Sequence, residues 1–244
     1  MKENNISIEK KNITFDSYAE KYKEIHNKNV RIFGENTDYF LKVKVEILLE
    51  KLKAFGLISK KLKVLDIGCG IGRFEEQIHF KGINWDIYGI DISFNSLKVA
   101  KKSLSSPNFS FIRFDGDIFP FLDDSFDLVV AICVFHHILP EKRIKAIEEI
   151  HRVLKRGGYV FIFEHNPTNP LTRFIVNHCE FDKDSFLLSH REVKELFVCG
   201  SIVPILLEYF LFFPHFLRFL RPIEKKFLRK IFFGGQFYYI GRKT

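Results

Sequence analysis

Three glycines alternate with other residues in the segment VLDIGCGIGRF, which runs from Val64 to Phe74. They are Gly68, Gly70 and Gly72, and they stand between an apolar run that predicts a strand and a stretch with helical spacing. Glycine has no Cβ, so the backbone can turn sharply there and come close to a ligand. Arg73 stands where the dinucleotide-binding fingerprint GxGxxG requires glycine. The segment therefore favours a ligand-binding loop and disfavours a nicotinamide dehydrogenase.

Acidic residues follow the next two predicted strands. Asp91 closes a strand in YGIDIS, 23 residues after Gly68, where an acid can accept hydrogen bonds from both hydroxyls of a ribose. Asp117 follows the third strand in FDGDIF, where an acid can accept a hydrogen bond from the amino group of adenine. Ile118 is placed to pack on the same ring. These residues indicate a nucleoside site at one edge of a sheet.

Short apolar runs alternate with helical stretches from residue 62 onward. The runs predict strands at 62–67, 85–91, 109–114, 126–133 and 159–164. Helical spacing lies between them at 72–80, 95–102 and 141–154. This alternation predicts βαβ units with right-handed crossovers and a parallel sheet buried on both faces. Helical spacing also precedes the first strand, and the region 1–57 is predicted to form an N-terminal helical cover. The core is then residues 58–244, within one structural domain.

Taken together, the motifs resemble the class I S-adenosylmethionine (SAM) dependent methyltransferases that act on small molecules. The resemblance covers roughly residues 16–163, and the family's four motifs correspond to DIGCGIGRF, GIDIS, GDIF and SFDLVVAICVFHHI. It implies a Rossmann-like α/β fold, with a seven-stranded, mostly parallel sheet, helices on both faces and an antiparallel last strand. It also implies in-line methyl transfer from SAM, which leaves S-adenosylhomocysteine (SAH).

The resemblance implies which residues contact SAM. They follow the predicted strands or lie in the N-terminal segment FDSYAEKYKEIH: Asp66, Gly68, Gly70, Gly72, Asp91, Ile92, Asp117, Ile118, Ile132, Phe135, Tyr18 and Tyr22. Asp91 would hold the ribose, and Tyr18 and Tyr22 would cover the cofactor. Two roles stay open for Gly72, namely contact with SAM and close packing of a helix on the sheet.

The segment EHNPTNPLTR follows the fifth predicted strand and is rich in groups that bind ligands. It opens a stretch, 165–188, that we interpret as an acceptor lid, because it leaves the edge of the sheet where ligands bind. The candidate acceptor-binding residues are Glu164, His165, Asn166, Asn169 and Arg173. The alternative is that the asparagines and prolines only shape turns. His137 and His165 are the candidate bases if the acceptor is a hydroxyl or an amine.

The positive charge of the chain lies mainly near its C-terminal end. The net charge is +8, and residues 214–244 contain eight Lys or Arg residues and one Glu. Residues 214–233 predict a basic amphipathic helix, which either lies on an anionic membrane or packs its apolar face on the sheet. Pro222 either breaks this helix or starts a second one. An alternative function is therefore a non-catalytic SAM- or nucleotide-binding protein, or a peripheral membrane protein, on the same fold.

The composition excludes several classes of protein. With 46% apolar and 28% charged residues in 244, the chain is globular rather than disordered. Its four cysteines form no CxxC pair, so neither a disulfide framework nor a metal site is expected. We expect a cytoplasmic protein, at the inner face of the membrane if the basic helix binds lipid. The expected acceptor is a small molecule, a sugar or a lipid-linked compound, and nucleic acid is disfavoured.

Overall fold

The computed structural model describes residues 37–179, 182, 185–213 and 215–244, with the side chains of His215, Lys225 and Lys226 left out. The predicted N-terminal helix, with Tyr18 and Tyr22, lies outside the described residues. The first described element is helix α1, Thr37–Ala54.

The core is a seven-stranded sheet in the order β3-β2-β1-β4-β5-β7-β6. The strands are β1 (Lys63–Ile67), β2 (Asp86–Asp91), β3 (Phe109–Arg113), β4 (Phe126–Ile132), β5 (Leu154–His165), β6 (Val203–Phe210) and β7 (Gln236–Arg242). Strands β1 to β5 pair in parallel, whereas β7 runs antiparallel to both β5 and β6. The predicted sheet, with its antiparallel last strand, is confirmed.

Helices cover both faces of this sheet. After α1 they are α2 (Arg73–Phe80), α3 (Phe94–Ser103), α4 (Pro140–Val153), α5 (Pro170–His178) and α6 (His190–Cys199). Neighbouring residues of a strand point to opposite faces, and β1 shows the consequence. Val64 packs in the same cluster as Leu48 of α1, whereas Leu65 packs in a second cluster with Ile147 of α4. Because β1 to β5 run in parallel, their carboxyl ends lie along one edge of this buried sheet.

The C-terminal basic segment is not the single helix that its pattern predicts. It forms three short turns of different geometry, a 3-10 helix at His215–Leu220, an α-turn at Arg221–Ile223 and a π-helix at Glu224–Leu228. Leu217 leaves helical geometry at φ −104°, and Pro222 has no N–H with which to continue a preceding helix. Glu224 accepts hydrogen bonds from the backbone N–H groups of Leu211 at 2.6 Å and Phe212 at 3.1 Å. Residues 214–233 therefore do not form one continuous helix, and of the two possibilities left open at Pro222 the structure shows a divided segment.

No helix among the described residues is both long enough and apolar enough to cross a membrane.

Candidate active site

A cavity of about 550 Å³ opens where the parallel strands end. The loops that follow β1 to β5 line it, as expected for ligand sites in such sheets. The predicted site residues that line it are Asp66, Gly68, Gly70, Asp91, Ile92, Asp117, Ile132, Phe135, His137, His165 and Asn169. The predicted residues that the structure places elsewhere are Gly72, Ile118, Glu164, Asn166 and Arg173.

The glycine loop after β1 is held in place by Asp91. The Oδ2 atom of Asp91 accepts the N–H of Gly70 at 2.8 Å, and its Oδ1 atom accepts the N–H of Ser93 at 2.8 Å. Gly70 has φ +52°, and a Cβ built there would meet no atom within 4 Å, so bare backbone faces open space. Asp91 therefore lies beside the exposed backbone of Gly70, at the end of β2, where an acid can accept hydrogen bonds from the hydroxyls of a ribose. The loop thus fits a nucleoside beside Asp91.

Gly72 serves packing instead. Its φ is +79°, and a Cβ there would lie 2.9 Å from Cδ1 of Leu104 and 3.1 Å from Cβ of Ala100. Both neighbours belong to α3 or its end. Of the two roles left open by the sequence, this geometry supports the close packing of the loop on α3.

Two buried acidic side chains, Asp66 and Glu75, lie next to the glycine loop in the sequence and in the fold. Asp66 is 3% exposed, and Glu75 of α2 is fully buried. Burial, together with the charges of Glu75 and Asp91, raises the pKa of Asp66 well above its ordinary value. Burial also raises the pKa of Glu75 to about 8. A ligand that brings a positive charge to Asp66 would favour the ionised carboxylates, and SAM carries such charges.

The loop after β3 differs from its prediction in one residue. Asp117 lines the cavity and lies 3.0 Å from Nζ of Lys142. Ile118, expected to pack on adenine, is 67% exposed and points outward. The next residue, Phe119, is buried instead, and its N–H donates to Glu149 Oε2 at 2.8 Å. Phe119 and Phe114 line the cavity in its place.

Glu164 holds the loop after β4 and does not reach the cavity. It is fully buried, and its Oε1 atom accepts the N–H groups of Val134 at 3.0 Å and Phe135 at 2.7 Å. Its Oε2 atom lies 2.6 Å from Nδ1 of His136, whose Nε2 atom lies 3.3 Å from Asp182. The expectation that Glu164 binds the acceptor is therefore not supported, because both of its oxygens serve the protein itself.

His136 is held as an imidazolium between two carboxylates. Burial alone would lower its pKa, but Glu164 and Asp182 outweigh burial and raise the pKa of His136 to about 10. His137 lies 3.5 Å from the same oxygen of Asp182. The three residues His136, His137 and Asp182 offer ligand atoms within 4.8 Å of one another. Because both ring nitrogens of His136 face carboxylates, we interpret this group as an ion-pair cluster rather than a metal site.

The remaining acceptor candidates have mixed positions. Asn166 is buried and donates to the carbonyls of Phe232 at 2.8 Å and Gly234 at 2.7 Å, so it ties two loops together. Asn169 accepts from the N–H of Thr172 at the start of α5 and still lines the cavity. Arg173 is exposed. Of the five candidates, the structure brings His165 and Asn169 to the cavity.

The lining residues that the sequence did not indicate as site residues include Lys44 of α1, Cys133 after β4 and Gln236 of β7. A signal for the first is present in the sequence. Leu41, Val45, Leu48 and Leu52 form the apolar stripe of α1, and Lys44 occupies a position on that stripe. A lysine on a buried stripe faces either a partner or a ligand.

Comparisons with known proteins find methyltransferases. A family model described as a methyltransferase domain matches residues 65–162. A demethylmenaquinone methyltransferase of Thermotoga maritima is 33% identical over 64% of this chain and 61% of its own length. The chain thus spans about three fifths of that relative. A demethylmenaquinone methyltransferase of Staphylococcus epidermidis is 30% identical over 72% of this chain and 68% of its own.

A solved structure shows the same fold. A SAM-dependent methyltransferase from Archaeoglobus fulgidus superimposes with a TM-score of 0.62 at 20% identity, over 81% of this chain and 94% of that one. The family model and the curated relatives are methyltransferases by name, and the solved structure with this fold is named as SAM-dependent, so the cofactor is SAM. The chain belongs to the class I SAM-dependent methyltransferases.

Proposed function

We propose that the protein transfers the methyl group of SAM to a small, largely apolar acceptor bound in the cavity beside His165. The observation that carries this proposal is the apolar wall of the cavity beyond the SAM residues. That wall consists of Ile138, Leu139, Leu171, Ile175, Phe212 and Phe213. The names of the two demethylmenaquinone methyltransferases agree with a small-molecule acceptor.

In this proposal the chain acts mainly by positioning the two reactants. The sulfonium of SAM supplies an activated methyl group, so catalysis needs alignment and the exclusion of water. Asp91 would hold the ribose, Asp66 would face the methionine end, and Phe114 and Phe119 would contact the adenine. The apolar wall would exclude water from the acceptor.

The acceptor class is tested with SAM that carries a labelled methyl group. The purified chain is added to extract from a host that lacks the gene, and lipid, water-soluble and macromolecular fractions are separated. We expect chain-dependent label in the lipid fraction, because the wall of the cavity is apolar. Label confined to the macromolecular fraction would contradict a small acceptor, and label confined to the water-soluble fraction would contradict an apolar one.

A second candidate function, contact with an anionic membrane surface, is supported by one exposed region. Large aromatic side chains stand exposed along the C-terminal turns: Phe216 at 76%, Phe219 at 70%, Phe227 at 65%, Phe232 at 52% and Phe233 at 54%. Arg218 and Lys230 are exposed among them. Exposed aromatics interleaved with basic residues fit an interface with anionic lipid. Asn169 donates to the carbonyl of Phe233 at 2.7 Å, which connects this surface to the cavity wall.

Membrane contact is tested by flotation with vesicles of phosphatidylcholine, with and without phosphatidylglycerol. Replacing both Phe216 and Phe219 with serine is expected to lower vesicle binding by roughly tenfold or more, because each phenyl ring contributes roughly 1.5–3 kcal/mol when buried. Phe80→Ser is the matched control, since Phe80 is 72% exposed at the end of α2. Equal flotation of all three chains would rule out this surface.

A further inference from the structure

Four polar side chains from different elements meet on the wall of the cavity, and we call them the Lys44 cluster. They are Lys44 of α1, Cys133 after β4, His165 of β5 and Gln236 of β7. The Nζ atom of Lys44 lies 3.2 Å from Sγ of Cys133. The Nε2 atom of Gln236 lies 3.9 Å from the same sulfur and 3.2 Å from Nδ1 of His165. Two donors, from Lys44 and Gln236, therefore converge on the sulfur atom of Cys133.

Lys44 is a buried cation whose partner is a thiol. Its exposed fraction is 6%, and among the described residues no carboxylate lies within ion-pair distance of its Nζ atom. Burying an ammonium group without an anion is costly. Burial would raise the pKa of Cys133, and Glu164 acts in the same direction, but Lys44 and His165 outweigh both and lower the pKa to about 7. The cluster thus places the side chain of Lys44 beside a thiol that ionises near neutral pH.

The side-chain oxygen of Gln236 is a hydrogen-bond acceptor that receives no hydrogen bond from the described residues. Its side chain is 7% exposed, and its Oε1 atom is buried without a hydrogen-bond partner among the described residues. Buried polar atoms are nearly always paired. Because Gln236 lines the cavity, the missing donor is best supplied by a ligand group such as a hydroxyl.

We propose that the Lys44 cluster binds an ionisable hydroxyl group of the acceptor, as in a phenol or an enol, and that Cys133 takes its proton. The inference rests on the proposed function and gives the role of base to Cys133 instead of a histidine. The O–H bond breaks, its proton forms the S–H bond of Cys133, and the oxyanion remains beside the Lys44 ammonium. The oxyanion, or a carbon conjugated with it, bonds to the methyl group as the C–S bond of SAM breaks. One proton is finally released to water, and SAH remains.

The chemistry of the cluster suits this step. A general base works best when its pKa lies near the working pH. A buried ammonium group stabilises a neighbouring oxyanion more strongly than it would in water, because the local dielectric constant is low. A neutral hydroxyl without acidity would leave the charge of Lys44 unmatched, so the cluster selects acidic hydroxyls over aliphatic ones.

The anion site is tested with 4-nitrophenol and the full chain saturated with SAH. The nitrophenolate absorbs visible light and the neutral phenol does not, so absorbance reports the form that is bound. We expect bound nitrophenol to ionise at a lower pH than free nitrophenol. Lys44→Met should weaken its binding at least about tenfold, whereas Lys44→Arg, which keeps the charge, should retain most of it.

The thiol is tested separately by the rate of alkylation with iodoacetamide as a function of pH. The background is Cys199→Ser, which removes an exposed thiol. The groups that face Cys133 are Lys44, His165, Glu164 and Gln236. Alkylation should have a midpoint near pH 7, shift to higher pH in Lys44→Met and slow when nitrophenol is bound.

Three outcomes would overturn the inference. Nitrophenol could bind as the neutral phenol, or bind Lys44→Met as tightly as the wild type. Alternatively, Lys44→Met could lose affinity for SAH, which would assign Lys44 to the carboxylate of the cofactor. Failure of the wild-type chain to bind SAH at all would instead remove the proposed function, so the two failures are distinguishable.

Discussion

Replacing Asp91 with alanine is expected to lower the affinity for SAH by roughly 100-fold or more. The side chain fixes the backbone of Gly70 and Ser93, and it is placed to accept hydrogen bonds from the ribose. Hydrogen bonds to a charged group contribute about 1.5–3 kcal/mol each. Loss of two such bonds corresponds to roughly two to four orders of magnitude in the dissociation constant. Calorimetric titration with SAH measures the change.

The same strand offers the control. Asp86 stands at the opposite end of β2, where its carboxylate lies 2.9 Å from Lys61 in an exposed ion pair. Exposed pairs of this kind contribute about 0–1 kcal/mol, so Asp86→Ala should bind SAH like the wild type. If Asp91→Ala bound SAH as tightly as Asp86→Ala, the cofactor could not lie on the glycine loop.

Replacing Glu164 with glutamine is expected to destabilise the chain by about 3–5 kcal/mol, the usual effect of breaking a buried ion pair from one side. Glutamine has the same size but only one acceptor oxygen. It cannot accept the N–H groups of Val134 and Phe135 and also face the imidazolium of His136. Urea unfolding measures the loss.

Glu148→Gln is the control for this change. Glu148 is exposed on α4 and lies 3.6 Å from Lys145 one turn away. Its replacement should alter the free energy of unfolding by no more than about 0.5 kcal/mol. A similarly small effect of Glu164→Gln would show that the loop after β4 does not depend on this carboxylate.

The loss of stability caused by Glu164→Gln should also depend on pH. The pKa of His136 rises from 6.5 to about 10 in the folded chain. A raised pKa gives stability that is complete below the unfolded value and disappears as the pH rises through the folded value. The pKa of Glu164 is lowered instead, so its stability is present above 4.5 and lost as the pH falls. The difference between wild type and Glu164→Gln should therefore be largest near pH 6 and shrink as the pH approaches 10.

The fold and the SAM side of the cavity could be predicted because both follow from local patterns. Apolar runs with a buried period predict strands, and the turn after each strand lies at the same edge of the sheet. Gly70 and Asp91 meet for this reason, although 21 residues separate them. The direction of a side chain within a turn could not be predicted in this way. Ile118 was expected to line the cavity, but Phe119 lines it instead.

The acceptor side could not be predicted as well, because its geometry depends on contacts between distant segments. Glu164 and His165 are neighbours at the end of β5, and alternate strand positions point to opposite faces. Whether the first or the second reaches the cavity depends on where the loop after β4 lies. Asn166 turns toward a loop more than 60 residues away. Lys44 reaches the cavity only because α1 packs beside Cys133.

The C-terminal segment shows a third limit of prediction from the sequence. Its aromatic residues stand exposed, but a helical wheel assumes one uninterrupted helix. Pro222 and the hydrogen bonds of Glu224 to the end of β6 divide the segment into turns. The composition of this surface and a possible break at Pro222 could be predicted, but the geometry of the separate turns could not.

The most direct test of catalysis is the conversion of SAM to SAH by the purified chain in the presence of a lipid extract from the host that lacks the gene. Wild type, Asp86→Ala and Asp91→Ala are compared by quantifying both compounds. Methyl transfer predicts SAH formation that requires the extract, is retained in Asp86→Ala and is lost in Asp91→Ala. The assay is repeated with the water-soluble and macromolecular fractions of the same host in place of the lipid extract. Tight binding of SAH without any conversion of SAM in all three assays would contradict an enzyme and leave a SAM-binding protein.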